Sequence, residues 1–162
     1  MDNTTILKHF AGYDLWANRR VVERLEQVPE LLDAPVRSSF PSLRLTLLHI
    51  RDAEHTWLKR IRGEEYSWPA EPSQDPKTVI RHSEALHDHV MSMTESDLVR
   101  EATYQDLRGN THRQPVWQML MHCFNHGTQH RGQLITMMRQ LGIEHIPAND
   151  MVVYMRQQQA LL

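Results

Sequence analysis

Cysteine is almost absent from this chain: Cys123 is the only one in 162 residues. An internal disulfide framework is excluded, and so are the CxxC pairs of zinc ribbons and thiol relays. Any metal site must therefore be built mainly from histidine and carboxylate. An excess of basic charge is missing too. With 18 Lys and Arg against 20 Asp and Glu, the net charge of −2 offers no footprint for nucleic acid, and no nucleic-acid partner is expected. Nowhere do about 18 apolar residues run together, and Met1–Thr5 carries neither a basic nor an apolar leader. No membrane partner is expected, and the expected location is cytoplasmic. Internal repeats and low-complexity tracts are lacking as well. Residues 1–162 are long enough to bury one sizeable core, so a single domain is expected.

What the chain does have is histidine, eleven in all, and helical periodicity. From Pro115 to Leu141 the apolar or small positions are Val116, Leu120, Cys123, Gly127, residue 130, Leu134, Met137 and Leu141. Their alternating steps of four and three make the seam of a helix that faces other helices. Residue 130 of that seam is a histidine, and His126 lies one turn earlier, roughly 40° round the axis. Two readings stand side by side: hydrogen-bonded core histidines, or a pair that chelates a metal ion. Among so many histidines one such spacing arises by chance. Two ligands alone also bind weakly, so a third must come from elsewhere.

The rest of the chain supplies the other helices. Ile6, Phe10, Tyr13, Ala17, Val21 and Leu25 predict a first helix from Asn3 to about Gln27, capped by Asn3 or Thr4 and closed by Pro29. An ordered loop follows to Pro41. The second helix is expected from Pro41 to Gly63, with Leu43, Leu47, Ile50, Glu54, Trp57 and Ile61 as its stripe. His49 lies on the flank of that stripe, where periodicity reads it as half-buried and solvated or capping. Glu54 is the one carboxylate on the stripe, and once buried it needs a partner or the water of a metal site. After a connection in which Tyr66 and Trp68 pin the loop to the core, Asp75-Pro76 opens a third helix over Val79, Ser83, Leu86, Val90 and Met93. His82, His87 and His89 fall on its solvated side. Alternation around Gly109-Asn110 predicts a short hairpin, Pro115 and Gly142 bracket the long histidine helix, and a short helix runs through Met151–Tyr154. Four main helices with two long connections predict an all-α four-helix bundle, whose interior sites draw ligands from facing helices.

At this point the residues resemble a known family. His49-Ile50-Arg51-Asp52-Ala53-Glu54-His55-Thr56-Trp57 is similar to the second-helix motif of the DinB superfamily, in which His is followed by Ala-Glu and then Trp. Asn125-His126-Gly127-Thr128-Gln129-His130-Arg131-Gly132-Gln133 resembles its later Asn-His, His-Arg-Gly-Gln motif. Tyr13–Asn18, Ser39–Ser42 and Leu141–Asp150 resemble three further signatures in the family's order, so the likeness covers nearly the whole chain.

The resemblance implies a DinB/YfiT-like bundle running up-down-down-up, with His49, His126 and His130 as the ligands of a divalent transition metal, Zn, Ni, Fe, Co or Mn. Three imidazoles leave positions open, as in catalytic sites. His122 reads as a neighbour of the ligands rather than a fourth one, Arg131 as half of an ion pair, and Gly132 as a point of close helix approach. Glu54 and Gln133 are the candidates for proton handling or orientation. By the same likeness the protein is a metal-dependent enzyme on a small-molecule substrate, resembling S-transferases that use a low-molecular-weight thiol, or hydrolases. The alternative is a non-catalytic, metal-stabilised stress or binding module. A homodimer is also implied, and exposed Met and Trp residues suit one.

Overall fold

A computed structural model describes residues 3–160 of the chain. Helix α1 spans Asn3–Leu25, α2 Leu43–Arg62, α3 Thr78–Ser92, α4 Glu95–Val99, α5 Val116–Gln140 and α6 Met151–Gln159. Strands β1 (Glu101–Gln105) and β2 (Thr111–Pro115) pair antiparallel, with Tyr104 opposite His112. The elements follow the expected order with shifted ends. Asn3 and Thr4 are already helical, so any cap of α1 falls outside the described residues. Ser42 rather than Pro41 begins α2, its hydroxyl accepting from the Leu45 amide at 3.3 Å, and Gly63 closes the helix at φ 69°.

Four long helices make the bundle. Facing pairs fix their directions. Thr46 meets Met137 and Trp57 meets His122, so α2 and α5 are antiparallel. Arg51 bonds Thr78 and Arg62 lies beside His89, so α2 and α3 are parallel. Phe10 stacks on Phe124 while Asp14 meets Arg131, so α1 and α5 are parallel as well. The course is up-down-down-up, and residues 63–77 must travel the length of the bundle to join two parallel helices. Each seam is buried as its period requires: Leu43, Leu47, Ile50 and Ile61 on α2, and Val116, Leu120, Leu134 and Met137 on α5, are all fully buried.

Three sequence expectations need correction. His82, His87 and His89 are half-buried rather than solvated: the connection 63–77 sets Glu71 Oε1 3.4 Å from His82 Nε2, His87 shares a pocket with Trp16 and Tyr154, and His89 lies beside Arg62. Gly132 faces open space, whereas a Cβ on Gly127 would sit 2.9 Å from Asp14 Oδ1 and 3.0 Å from Arg131 Nη1. The close approach therefore belongs to Gly127. Helix α4 was not expected at all; it is held by a capping box in which Thr94 and Asp97 satisfy each other's end of the turn.

Candidate metal centre

Because α2 and α5 are antiparallel, residue 49 falls opposite residues 126 and 130. His126 Nε2 lies 3.0 Å from His49 Nε2 and 3.1 Å from His130 Nε2. Potential ligand atoms of all three lie within 4.8 Å of one another, and this is the only such group of histidine, cysteine or carboxylate among the described residues. His49, on the flank of its helix stripe, is turned inward by the crossing with α5, which the period of α2 alone cannot reveal.

Hydrogen bonding around the cluster sets its protons. Gln133 Nε2 donates to Ser39 Oγ at 2.9 Å, which leaves Gln133 Oε1 to accept from His130 Nδ1 at 2.8 Å. A neutral His130 then presents a bare Nε2 to the cluster. His126 Nε2 has two nitrogen neighbours and room for one proton, and an N–H aimed at either neighbour leaves the other contact without one. Two imidazole nitrogens on one ion, each at roughly 2.1 Å and set at 90–109°, lie roughly 3.0–3.4 Å apart. The donor set fits such an ion in both type and spacing.

The electrostatics agree. Burial, helped by the neighbouring His130, lowers the pKa of His49 to about 4. Burial, and then His130, His49 and His122, lower that of His126 to about 3. Both imidazoles are therefore neutral at pH 7, the state a ligand needs. The Phe40 ring lies 4.6 Å from that of His49 and 5.7 Å from that of His130, while Trp68 meets His49 edge-on at 5.7 Å. Two apolar rings from two different connections thus wall the cluster.

The other candidates are placed differently. His122 is exposed and packs edge-on against Trp57 at 4.9 Å; its ring is 6.1 Å from that of His126, and it is not part of the converging group. Gln133 bonds the His130 ring, as described. Glu54 lies in the bundle core, 2% exposed, where Oε1 accepts from Asn18 Nδ2 at 2.7 Å and Oε2 accepts from Ser83 Oγ at 2.7 Å. Arg131 completes that network, donating to Asp14 Oδ1 at 2.5 Å and to Asn18 Oδ1 at 2.9 Å. One cation thus serves two buried acids. Burial and the nearby Asp14 push the Glu54 carboxyl well above its ordinary range. Ser39, Phe40 and Trp68 are the site residues that sequence reasoning missed. Ser39 and Phe40 were marked only as part of the Ser39–Ser42 signature in a loop read as ordered, and Trp68 only as an aromatic that pins its loop to the core.

Comparison with known proteins follows the same lines. The family model of the DinB family matches residues 1–160. Protein DinB of Bacillus subtilis (strain 168) is 26% identical over 149 residues, which cover 85% of this chain and 87% of that protein. Among solved structures, a DinB-like protein from Bacillus cereus ATCC 10987 has a TM-score of 0.64 at 22% identity, over 85% of this chain and 91% of that one. A DinB-like protein from Bacillus subtilis has a TM-score of 0.67 at 19% identity, over 90% and 98%. At these identities the two structures speak for the fold alone.

Proposed function

Because the chain belongs to the DinB family, and because its three imidazoles converge, we propose that the protein is a divalent-metal-dependent enzyme acting on a small molecule by transferase or hydrolase chemistry. The observation that carries this reading is His126 Nε2, set 3.0 and 3.1 Å from two further ring nitrogens. His49, His126 and His130 are the assigned ligands, and Zn, Ni, Fe, Co or Mn would suit them. When bound, such an ion supplies a Lewis acid that lowers the pKa of a coordinated water or thiol.

The chain's own residues do the rest. Gln133, braced by Ser39, fixes the His130 ring and keeps its proton on Nδ1. Phe40 and Trp68 exclude water from one side of the centre. Glu54 belongs to the core network, which supports α5 beneath the ligands, and we assign it no proton transfer. In the transferase form a low-molecular-weight thiol is the co-substrate. A homodimer, which the family likeness implies, has a candidate face in Ile6, Val99, Trp117 and Met121, all more than 40% exposed.

Metal analysis of untagged protein tests the assignment. About one divalent ion per chain is expected, with occupancy falling sharply in His49→Ala, His126→Ala and His130→Ala but not in His82→Ala or His89→Ala. Equal loss from both sets would sink the site. A screen of low-molecular-weight thiols with electrophiles, on metal-loaded and chelated protein, then tests the catalytic half.

A further inference from the structure

Among the described residues three arginines are more than nine-tenths buried, and one of them lacks a counter-ion. Arg51 pairs with Asp52 at 2.8 Å, and Arg131 with Asp14 at 2.5 Å. Arg60, 8% exposed, has no carboxylate of the described residues within ion-pairing distance. Its Nη2 donates to Tyr66 Oη and to the Gln105 carbonyl, both at 2.9 Å, and its Nε has no partner. Around it stand the rings of Trp57, Tyr66 and Tyr104, with centroids 4.8, 5.0 and 4.9 Å from the guanidinium carbon. Aromatic faces offset part of the desolvation of a cation, but a buried charge without an opposite charge stays costly.

Arg60 lines a groove of about 960 Å³ between the crossover 63–77 and the hairpin, a volume within the range of small-molecule sites. Trp68 lines the same groove, and its ring edge meets His49. Arg60 and His49 are eleven residues apart on α2, so they share a face, roughly 16 Å apart along the helix. The acids on the rim are engaged elsewhere, Glu64 with Lys59 at 2.5 Å and Asp106 with His112 at 3.0 Å. Together with Glu65, they would repel a ligand carrying several negative charges.

We propose that Arg60 anchors the substrate of this protein: an elongated, largely uncharged molecule with one terminal carboxylate, which lies in the groove along Trp68 with its other end at the three histidines. The guanidinium supplies the charge that orients the molecule, and the three rings hold the guanidinium in place. That the bound molecule is a substrate rests on the metal-enzyme reading; the anion site itself does not.

Calorimetric titration with 4-phenylbutyrate and with its neutral amide, on metal-loaded and on chelated protein, separates the two. In both states the carboxylate is expected to bind roughly tenfold tighter than the amide or better, the range of a charge-assisted bond. Arg60→Gln should bring that ratio near one while leaving metal content unchanged. Thr103→Glu, at an exposed groove position, should do the same by placing a competing carboxylate on the wall, and it serves if the Arg60 variant does not fold. A wild-type ratio near one overturns the proposal, as does a ratio that survives both substitutions. A preference that vanishes on chelation and ignores Arg60→Gln also overturns it, since the metal would then be the anion site. If metal analysis finds no ion bound to the wild-type protein, that result removes the catalytic reading alone, and a carboxylate preference lost in Arg60→Gln still upholds the anion site.

Discussion

Replacing Glu54 by glutamine tests the charge arithmetic of the bundle core. Arg131 is the single cation beside two buried acids, and it bonds Asp14 directly. Glu54 is held protonated by burial and by Asp14, well above its ordinary value of 4.5. The sign follows from linkage: a carboxyl with a raised folded-state pKa gives full stability below the unfolded value and loses it as pH rises toward the folded one. In that window the unfolded chain ionises and the folded chain does not, so wild-type stability falls by up to about 1.4 kcal/mol per pH unit from this group. The amide that replaces the carboxyl cannot ionise in either state. Its carbonyl can still accept from Asn18 Nδ2, and Ser83 Oγ can turn to the Val79 carbonyl, which lies 3.0 Å away. Glu54→Gln should therefore be close to wild type at pH 4.5 and gain on it as pH rises above that value, by no more than about 1.4 kcal/mol per pH unit, with unchanged metal content. Urea unfolding of both proteins at pH 4.5, 5.5, 6.5 and 7.5 reads the difference, in which the titrations of groups remote from Glu54 cancel. A difference that stays flat with pH, or a variant destabilised at neutral pH, would mean that Glu54 is ionised in the fold, and the assignment of its proton would fall.

Three further expectations follow from the geometry. Gln133→Leu removes the acceptor of His130 Nδ1 and should lower metal affinity about 10–100-fold in a chelator competition, with thermal stability of the chelated protein little changed; unchanged affinity would show that the His130 ring needs no brace. Gly127→Ala pushes a methyl against Asp14 and Arg131 and should cost about 1–3 kcal/mol in chemical unfolding, whereas Gly132→Ala, facing open space, should be neutral or stabilising. Trp117→Asp, on the exposed apolar face, should shift a dimer toward monomer in sedimentation velocity; a wild-type protein that sediments only as monomer at micromolar concentration would end the dimer assignment.

The bundle was legible because a helix that packs on neighbours must repeat its apolar residues near 3.6, and the seams of α2 and α5 do so cleanly. Helix α4 was not, since five residues are too few for a period and only Thr94 and Asp97 mark it. At the centre, His126 and His130 could be paired from their spacing, but His49 could not be raised above a flank residue by periodicity, because the crossing of α2 over α5 turns it inward; the resemblance of its motif did that. Glu54 was recognised as a carboxylate in need of a partner. Which partner it takes depends on Asn18 and Ser83, 36 and 29 residues away, and local pattern carries no record of such pairings. The same holds for Gln133 and Ser39, 94 residues apart, and for the Tyr104 ring beside Arg60.

The parallel course of α2 and α3 has a lasting consequence for how such a protein can change. Two parallel neighbours cannot be joined by a tight turn, so residues 63–77 form a strap down the outside, pinned to α2 where Arg51 reaches the Ser73 carbonyl and Asp52 accepts from the Ala70 amide. That strap carries Tyr66 and Trp68 to the groove, while the three imidazoles stay on the helices. The three-histidine cluster and the wall of the groove beside it are thus inherited on separate segments. Mutation can rewrite the strap between its pins without disturbing the helices, so a lineage built on this topology can reshape the groove while its histidines stand still.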